Sequence, residues 1–217
     1  MGTFGSLFFI HMTSTAVANF NQNPELLAVN NILGCIGQAP VTALDYENPE
    51  VFLVTQLLTQ ARTDTLAEGW NINIEKGLEL NVDPATNRVP APGGSLRLDG
   101  SNEDVDRTTS IIVREGALYD KNCHDFVQVA TKVDVVWDVE FSDLPTVFQR
   151  YITARAGTRA AVELINNSEL YKMLGQNEVA LRAALMDYEC QSGDYTYFGS
   201  PEGTVYRPYS PYRALAR

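Results

Sequence analysis

Glu68-Gly69-Trp70-Asn71-Ile72-Asn73-Ile74-Glu75 is the stretch in which one hydrophobic rhythm gives way to another, and the fold can be read outward from it in both directions. Upstream, Asn48 and Pro49 open a helix, because Asn is a favoured N-cap and Pro suits the first helical position. Val51, Val54, Leu58 and Ala61 then recur at spacings of 3, 4 and 3, which puts them on one face, and Glu68-Gly69 closes the helix near Trp70. One helix earlier, Asn23 and Pro24 repeat the pattern, with Leu26, Val29, Leu33 and Ile36 as the apolar face and Gly37 as the stop. Downstream, Asn71 to Glu75 alternates strictly, as a strand does. From Trp70 to about Phe141 the apolar runs are short and broken by Gly, Pro, Asn and Asp. Ser110-Ile111-Ile112-Val113 and Ala117-Leu118-Tyr119 flank Arg114-Glu115-Gly116 as a hairpin, and Val133 to Val139 is a β-branched run. Residues 90–94 and 99–106 read as exposed loops.

Helix returns around Pro145, where Val147, Tyr151, Ala154, Thr158, Ala161 and Ile165 keep the 3-and-4 rhythm until Asn166-Asn167-Ser168 ends it. Ser168 is placed to cap a segment carrying Leu170 and Leu174, and after Gly175 the pattern restarts from Asn177 with Leu181, Leu185 and Tyr188. Two helices precede the β-rich region and two follow it. The sequence therefore predicts an α+β fold: a four-helix bundle (24–69 and 144–192) with an inserted β-rich lobe (70–143), a leader (1–23) and an extended aromatic C-terminal arm (193–217). Trp70 is placed at the junction of bundle and lobe.

The 217 residues include 16 Lys and Arg against 27 Asp and Glu, for a net charge of −11. Such a balance excludes a protein that coats nucleic acid by neutralising phosphates. The charge is uneven: residues 1–143 carry 20 acidic and 8 basic residues, net −12, and 144–217 carry 7 and 8, net +1. Solvated loops account for this simply; a surface that must not stick to passing nucleic acid is the sharper alternative. No window reaches the roughly 18 consecutive apolar residues of a spanning helix. Leu7-Phe8-Phe9-Ile10 invites a signal-peptide reading but has no preceding Lys or Arg and no clear cleavage site, and Met12 is an alternative start. Cys35, Cys123 and Cys190 are odd in number and far apart, as free thiols in a reducing compartment would be.

Chemistry is sparsely represented. Cys123-His124-Asp125 has no second Cys/His cluster to complete a metal site, and no phosphate-loop, nucleophile-elbow or His-Glu-x-x-His motif occurs. The carboxylate pairs Glu103-Asp104 and Asp138-Glu140 lack an apolar setting that would raise a pKa. No catalytic residue, metal or cofactor is expected. The arm instead holds five of the ten tyrosines, and Tyr195, Tyr197, Phe198, Tyr206, Tyr209 and Tyr212, with Arg207 and Arg213, are the candidate interface, because rigid amphipathic rings favour contact surfaces.

Residues 28–41, Ala-Val-Asn-Asn-Ile-Leu-Gly-Cys-Ile-Gly-Gln-Ala-Pro-Val, and residues 68–77, running from Glu68-Gly69-Trp70 into the alternating strand, resemble tail tubular protein A. This is the adaptor or gatekeeper of short-tailed podophages of the autographivirus type. Leu144-Pro145 and the late Asp187-Tyr188-Glu189-Cys190 helix extend the likeness over about residues 24–217. The resemblance implies a non-catalytic virion tail protein, made in the host cytoplasm, that forms a twelve-copy ring beneath the portal protein. It implies recruitment of the tail nozzle protein (tail tubular protein B), a shoulder for the tail fibre, and DNA passing through the centre without sequence-specific binding. An acidic, host-directed phage factor that mimics DNA is the competing reading from charge alone.

Overall fold

The computed structural model describes residues 23–101 and 110–193. It is an α+β fold of four helices and two small sheets. Helix α1 (Pro24–Cys35) and helix α2 (Pro49–Leu66) start where their caps dictate: the Asn23 side chain accepts from the Glu25 and Leu26 amides, and that of Asn48 from the Glu50 amide. Helix α3 (Thr146–Ala160) runs into a π turn (Ala161–Ile165) that ends on Asn166 in the left-handed region, φ 53°. The next residue, Asn167, caps helix α4 (Ser168–Ser192) by accepting from the Glu169 and Leu170 amides. The cap is thus Asn167 and not Ser168, since the carboxamide oxygen reaches both amides from one residue earlier.

Helix α3 is the central element and packs on each of the other three. Val29, Ile32 and Leu33 of α1, Val54, Leu57 and Leu58 of α2, and Phe148, Ile152 and Ala156 of α3 form one core, completed by Trp70, Phe141 and Leu144. Being central, α3 buries a wider arc than a single stripe, so Phe148 and Ile152 join Tyr151 inside while Ile165, in the π turn, stays exposed. Helix α4 is continuous through Gly175. Leu170, Leu174, Leu181, Leu185 and Tyr188 fall on one unbroken face, and packing on α3 overrides the roughly 1 kcal/mol that a helical glycine costs.

The first sheet is antiparallel, with strand β6 (Thr131–Trp137) between β1 (Ile74–Leu80) and β2 (Ser95–Gly100). The second joins β3 (Ile111–Arg114), β4 (Ala117–Asp120) and the short β5 (Asp125–Phe126). Glu115 and Gly116 both have positive φ, 50° and 73°, which makes the β3–β4 connection the two-residue turn that matches strand twist. Val133 and Val135 of β6 pack with Ile111, Leu118 and Val89 into a second core between the sheets. Val136, of opposite parity, is buried on the other face beside Gly69. Residues 71–73 form a turn, so the strand starts at Ile74 and the alternation read from Asn71 does not mark extended chain. Among the described residues no helix is long and apolar enough to cross a membrane.

Candidate functional site

The helices and sheets meet in a joint built on Trp70 and Asn73. Trp70 is 5% exposed; its indole N–H donates to the Thr65 carbonyl (2.7 Å) and its ring meets Phe148 edge-to-face at 5.5 Å. Asn73, 2% exposed, uses its whole carboxamide: the oxygen accepts from the Trp70 amide (2.8 Å), and the nitrogen donates to the carbonyls of Leu66 (3.0 Å) and Trp137 (2.9 Å). One side chain therefore ties the end of α2, the turn and the end of β6. Those hydrogen bonds are what bend residues 71–73 away from a strand. Gly69 is required by its φ of 82°, and a Cβ there would also lie 3.2 Å from the movable Arg97 guanidinium. Arg62 of α2 completes the joint by pairing with Asp138 (3.2 Å) and Glu140 (3.1 Å), so that carboxylate pair serves an ion pair.

Helix α4 is moored differently. Arg182 forks onto Glu68, with nitrogen–oxygen distances of 2.8 and 3.2 Å, and also donates to the Tyr151 hydroxyl (2.9 Å). Glu68 first, and Tyr151 second, stabilise its charged form and push its pKa up. Glu189 accepts from the Asn71 amide (2.7 Å), and Arg155 of α3 reaches the same Glu68. Of the 25 residues of α4, Leu185 alone is fully buried.

The rest of α4 leaves apolar surface open. Tyr171, Gly175, Val179 and Met186 recur at intervals of 4, 4 and 7 and so share one arc, flanking the face that packs on α3. Val179 is 70% exposed, and Tyr171 and Met186 are about half exposed. Phe52 of α2 and Tyr46 just before it are also exposed, and α2 packs chiefly on α3 and α1. Between α1, α3 and α4 runs a groove of about 450 Å³.

The residues singled out from sequence fare unevenly. Trp70 sits in the joint described above. Tyr195, Tyr197, Phe198, Tyr206, Arg207, Tyr209, Tyr212 and Arg213 lie outside the described residues, as do Glu103 and Asp104. Cys123-His124 lies in the turn between β4 and β5. The Cys123 thiol is hydrogen-bonded to Asp120, whose carboxylate pushes the thiol pKa up and so disfavours the nucleophilic thiolate. Asp120 itself is held below the usual carboxylate range, chiefly by the Asn122 backbone N–H. Among the described residues no group of three or more His, Cys, Asp and Glu is placed to hold a metal ion. Asn73 and the Glu68–Arg182 clamp were missed from sequence; Gly69-Trp70 flagged the joint, but Asn73 was hidden in an alternating run and the clamp spans 114 positions.

The tail tubular protein family model matches residues 26–195, from the third residue of α1 past the end of α4, and so takes in the joint, both sheets and the clamp. The chain belongs to the tail tubular protein family. It is similar to tail tubular protein A of Klebsiella phage KP34, with 26% identity over 162 residues that cover 69% of this chain and 83% of that protein. As a tail tubular protein it is a structural, non-catalytic component of a bacteriophage tail. Its working parts are accordingly surfaces, and the joint and clamp are what hold those surfaces in place.

Proposed function

We propose that this tail tubular protein closes into a ring of twelve copies between the portal and the tail nozzle protein of a short-tailed, autographivirus-type phage, acting as adaptor and gatekeeper. The supporting observation is the pair of open apolar patches on two different helices: Tyr171, Val179 and Met186 on α4, and Phe52 with Tyr46 at α2. A head-to-tail contact uses two different patches of one subunit and makes a ring when the rotation closes. In this reading the helical segments 24–69 and 144–192 make the ring wall. The β lobe, 70–143, carries loops toward the tail fibre and nozzle.

The net charge of −11 per copy suits a DNA conduit. Like charge keeps a duplex from adhering over a screening length of about 8 Å, so DNA passes during packaging and ejection without sequence-specific binding. The C-terminal arm, with its six aromatic rings from Tyr195 to Tyr212 and Arg207 and Arg213, clasps a neighbour or the portal. Assembly takes place in the host cytoplasm before the ring joins the virion tail.

Native mass spectrometry of the chain, alone and mixed with the portal ring from the same genome, tests this reading. A twelve-copy layer on the portal is the expected result. A persistent monomer that ignores the portal overturns the ring and portal reading. Deleting residues 193–217 should leave a folded chain that caps portal poorly; normal capping by the truncated chain removes the clasp.

A further inference from the structure

The groove between α1, α3 and α4 exists because α1 and α4 each pack on α3 but not closely on each other. Its walls carry Leu27, Ile32, Phe141, Leu174 and Leu181, and Leu27 is 46% exposed. The polar lining is almost wholly neutral, with Asn31, Gln149, Thr153 and Asn177 offering amides and hydroxyls, and Arg150 as the one charged residue among those lining it. Pro24, the first residue of α1, lies at its rim.

We propose that residues 1–22 of the same chain lay two or three of their large apolar side chains in this groove, about as many as 450 Å³ holds when one benzene ring takes about 150 Å³. Three observations carry the assignment. The segment enters the described structure at Asn23, beside Pro24, so it arrives at the mouth of the groove. It contains no Asp, Glu, Lys or Arg in a chain that is 20% charged, yet it holds Phe4, Leu7, Phe8, Phe9, Ile10, Val17 and Phe20. Exposing those rings to water costs free energy, and an apolar groove with neutral hydrogen-bonding walls satisfies both the rings and the backbone around them. Reach is ample: α1 is 12 residues, about 18 Å long at 1.5 Å per residue, a span that roughly six extended residues cover. Tethering at Asn23 gives this segment a high local concentration, which favours it over the same segment of another copy. The family match begins at residue 26, and the assignment does not depend on the ring reading.

Cys35 lines the groove and reports on its occupancy. In the full chain carrying Cys123→Ser and Cys190→Ser, the alkylation rate of Cys35 is compared with that of the same protein lacking residues 1–22. Removal of the segment should accelerate labelling at least about tenfold, the scale of a protected-to-open local equilibrium, and Phe8→Asp with Phe9→Asp in the full chain should do the same. Equal rates overturn the proposal. Should the shortened chain fail to fold, a photo-crosslinking residue at position 8 or 9 of the full chain decides. Crosslinks to α1, α3 or α4 within a single chain support it. Crosslinks elsewhere, or between two chains, overturn it.

Discussion

Helices α2 and α4 are the two longest of the bundle, 18 and 25 residues, and they are held by different forces. Eight residues of α2 are buried, from Val51 to Leu66, whereas α4 fully buries only Leu185, packs on α3 through half-buried residues such as Leu181 and Tyr188, and adds the polar contacts of Arg182 and Glu189. Apolar burial contributes about 25 cal/mol for each Å² removed from water, while a partly exposed ion pair contributes at most about 1 kcal/mol. Helix α2 is therefore more deeply part of the core, and α4 is seated on α3 by a half-buried stripe, oriented by polar contacts, with much of its other apolar surface still open. In the proposed ring, a neighbour would supply the burial that this chain leaves undone.

The largest predicted effects strike the joint that fixes α2 to the sheets. Trp70→Ala removes a buried ring and the bond to the Thr65 carbonyl and should cost about 3 to 5 kcal/mol in a urea unfolding experiment. A loss below about 1 kcal/mol would break the comparison, because the core side would then be no tighter than α4. Asn73→Ala strands the Trp70 amide and the Leu66 and Trp137 carbonyls and should cost about 2 to 3 kcal/mol. Asn73→Asp sharpens this result: it keeps the acceptor for Trp70 but sets a carboxylate against two carbonyls, so it should lose at least as much as the alanine variant.

Much of the fold was legible in local chemistry. The Asn-Pro pairs at 23–24 and 48–49 announce α1 and α2 because caps act over two or three residues, and Glu115-Gly116 announces its hairpin for the same reason. The failures are non-local. Asn71 to Glu75 alternates like a strand, but Asn73 spends its side chain on carbonyls of Leu66 and Trp137, seven and 64 positions away, and the backbone turns instead. Gly175 reads as a break, yet α3 supplies a continuous packing face across it. The candidate surface was harder still. Leu170, Leu174 and Leu181 and the arc of Tyr171, Val179 and Met186 are both apolar at helical spacing, and periodicity cannot tell which one the chain covers itself.

A smaller effect tests the mooring. Glu68→Gln keeps size but loses the charged fork to Arg182, so global stability should fall by no more than about 1 kcal/mol. Hydrogen exchange should show the change where the unfolding midpoint does not: amides of α4 should exchange faster while those of α2 keep their protection. Equal loss of protection in both helices would mean that the two are one cooperative unit and that the distinction drawn between them is wrong.

The smallest effect on the isolated subunit is predicted for the open arc itself. Val179→Gln replaces a 70%-exposed β-branched residue with a better helix former, so the monomer should change by no more than about 0.5 kcal/mol, in the stabilising direction if at all. If that arc is covered by a neighbouring copy, the same substitution removes about 1.5 kcal/mol of burial from each contact, roughly tenfold in its association constant. Unfolding in urea and ring occupancy by native mass spectrometry, measured on one preparation, separate the two quantities. Unchanged stability with depleted rings places the neighbour on α4. Unchanged stability with full rings leaves α4 uncovered in the assembly and shifts the contact to another face.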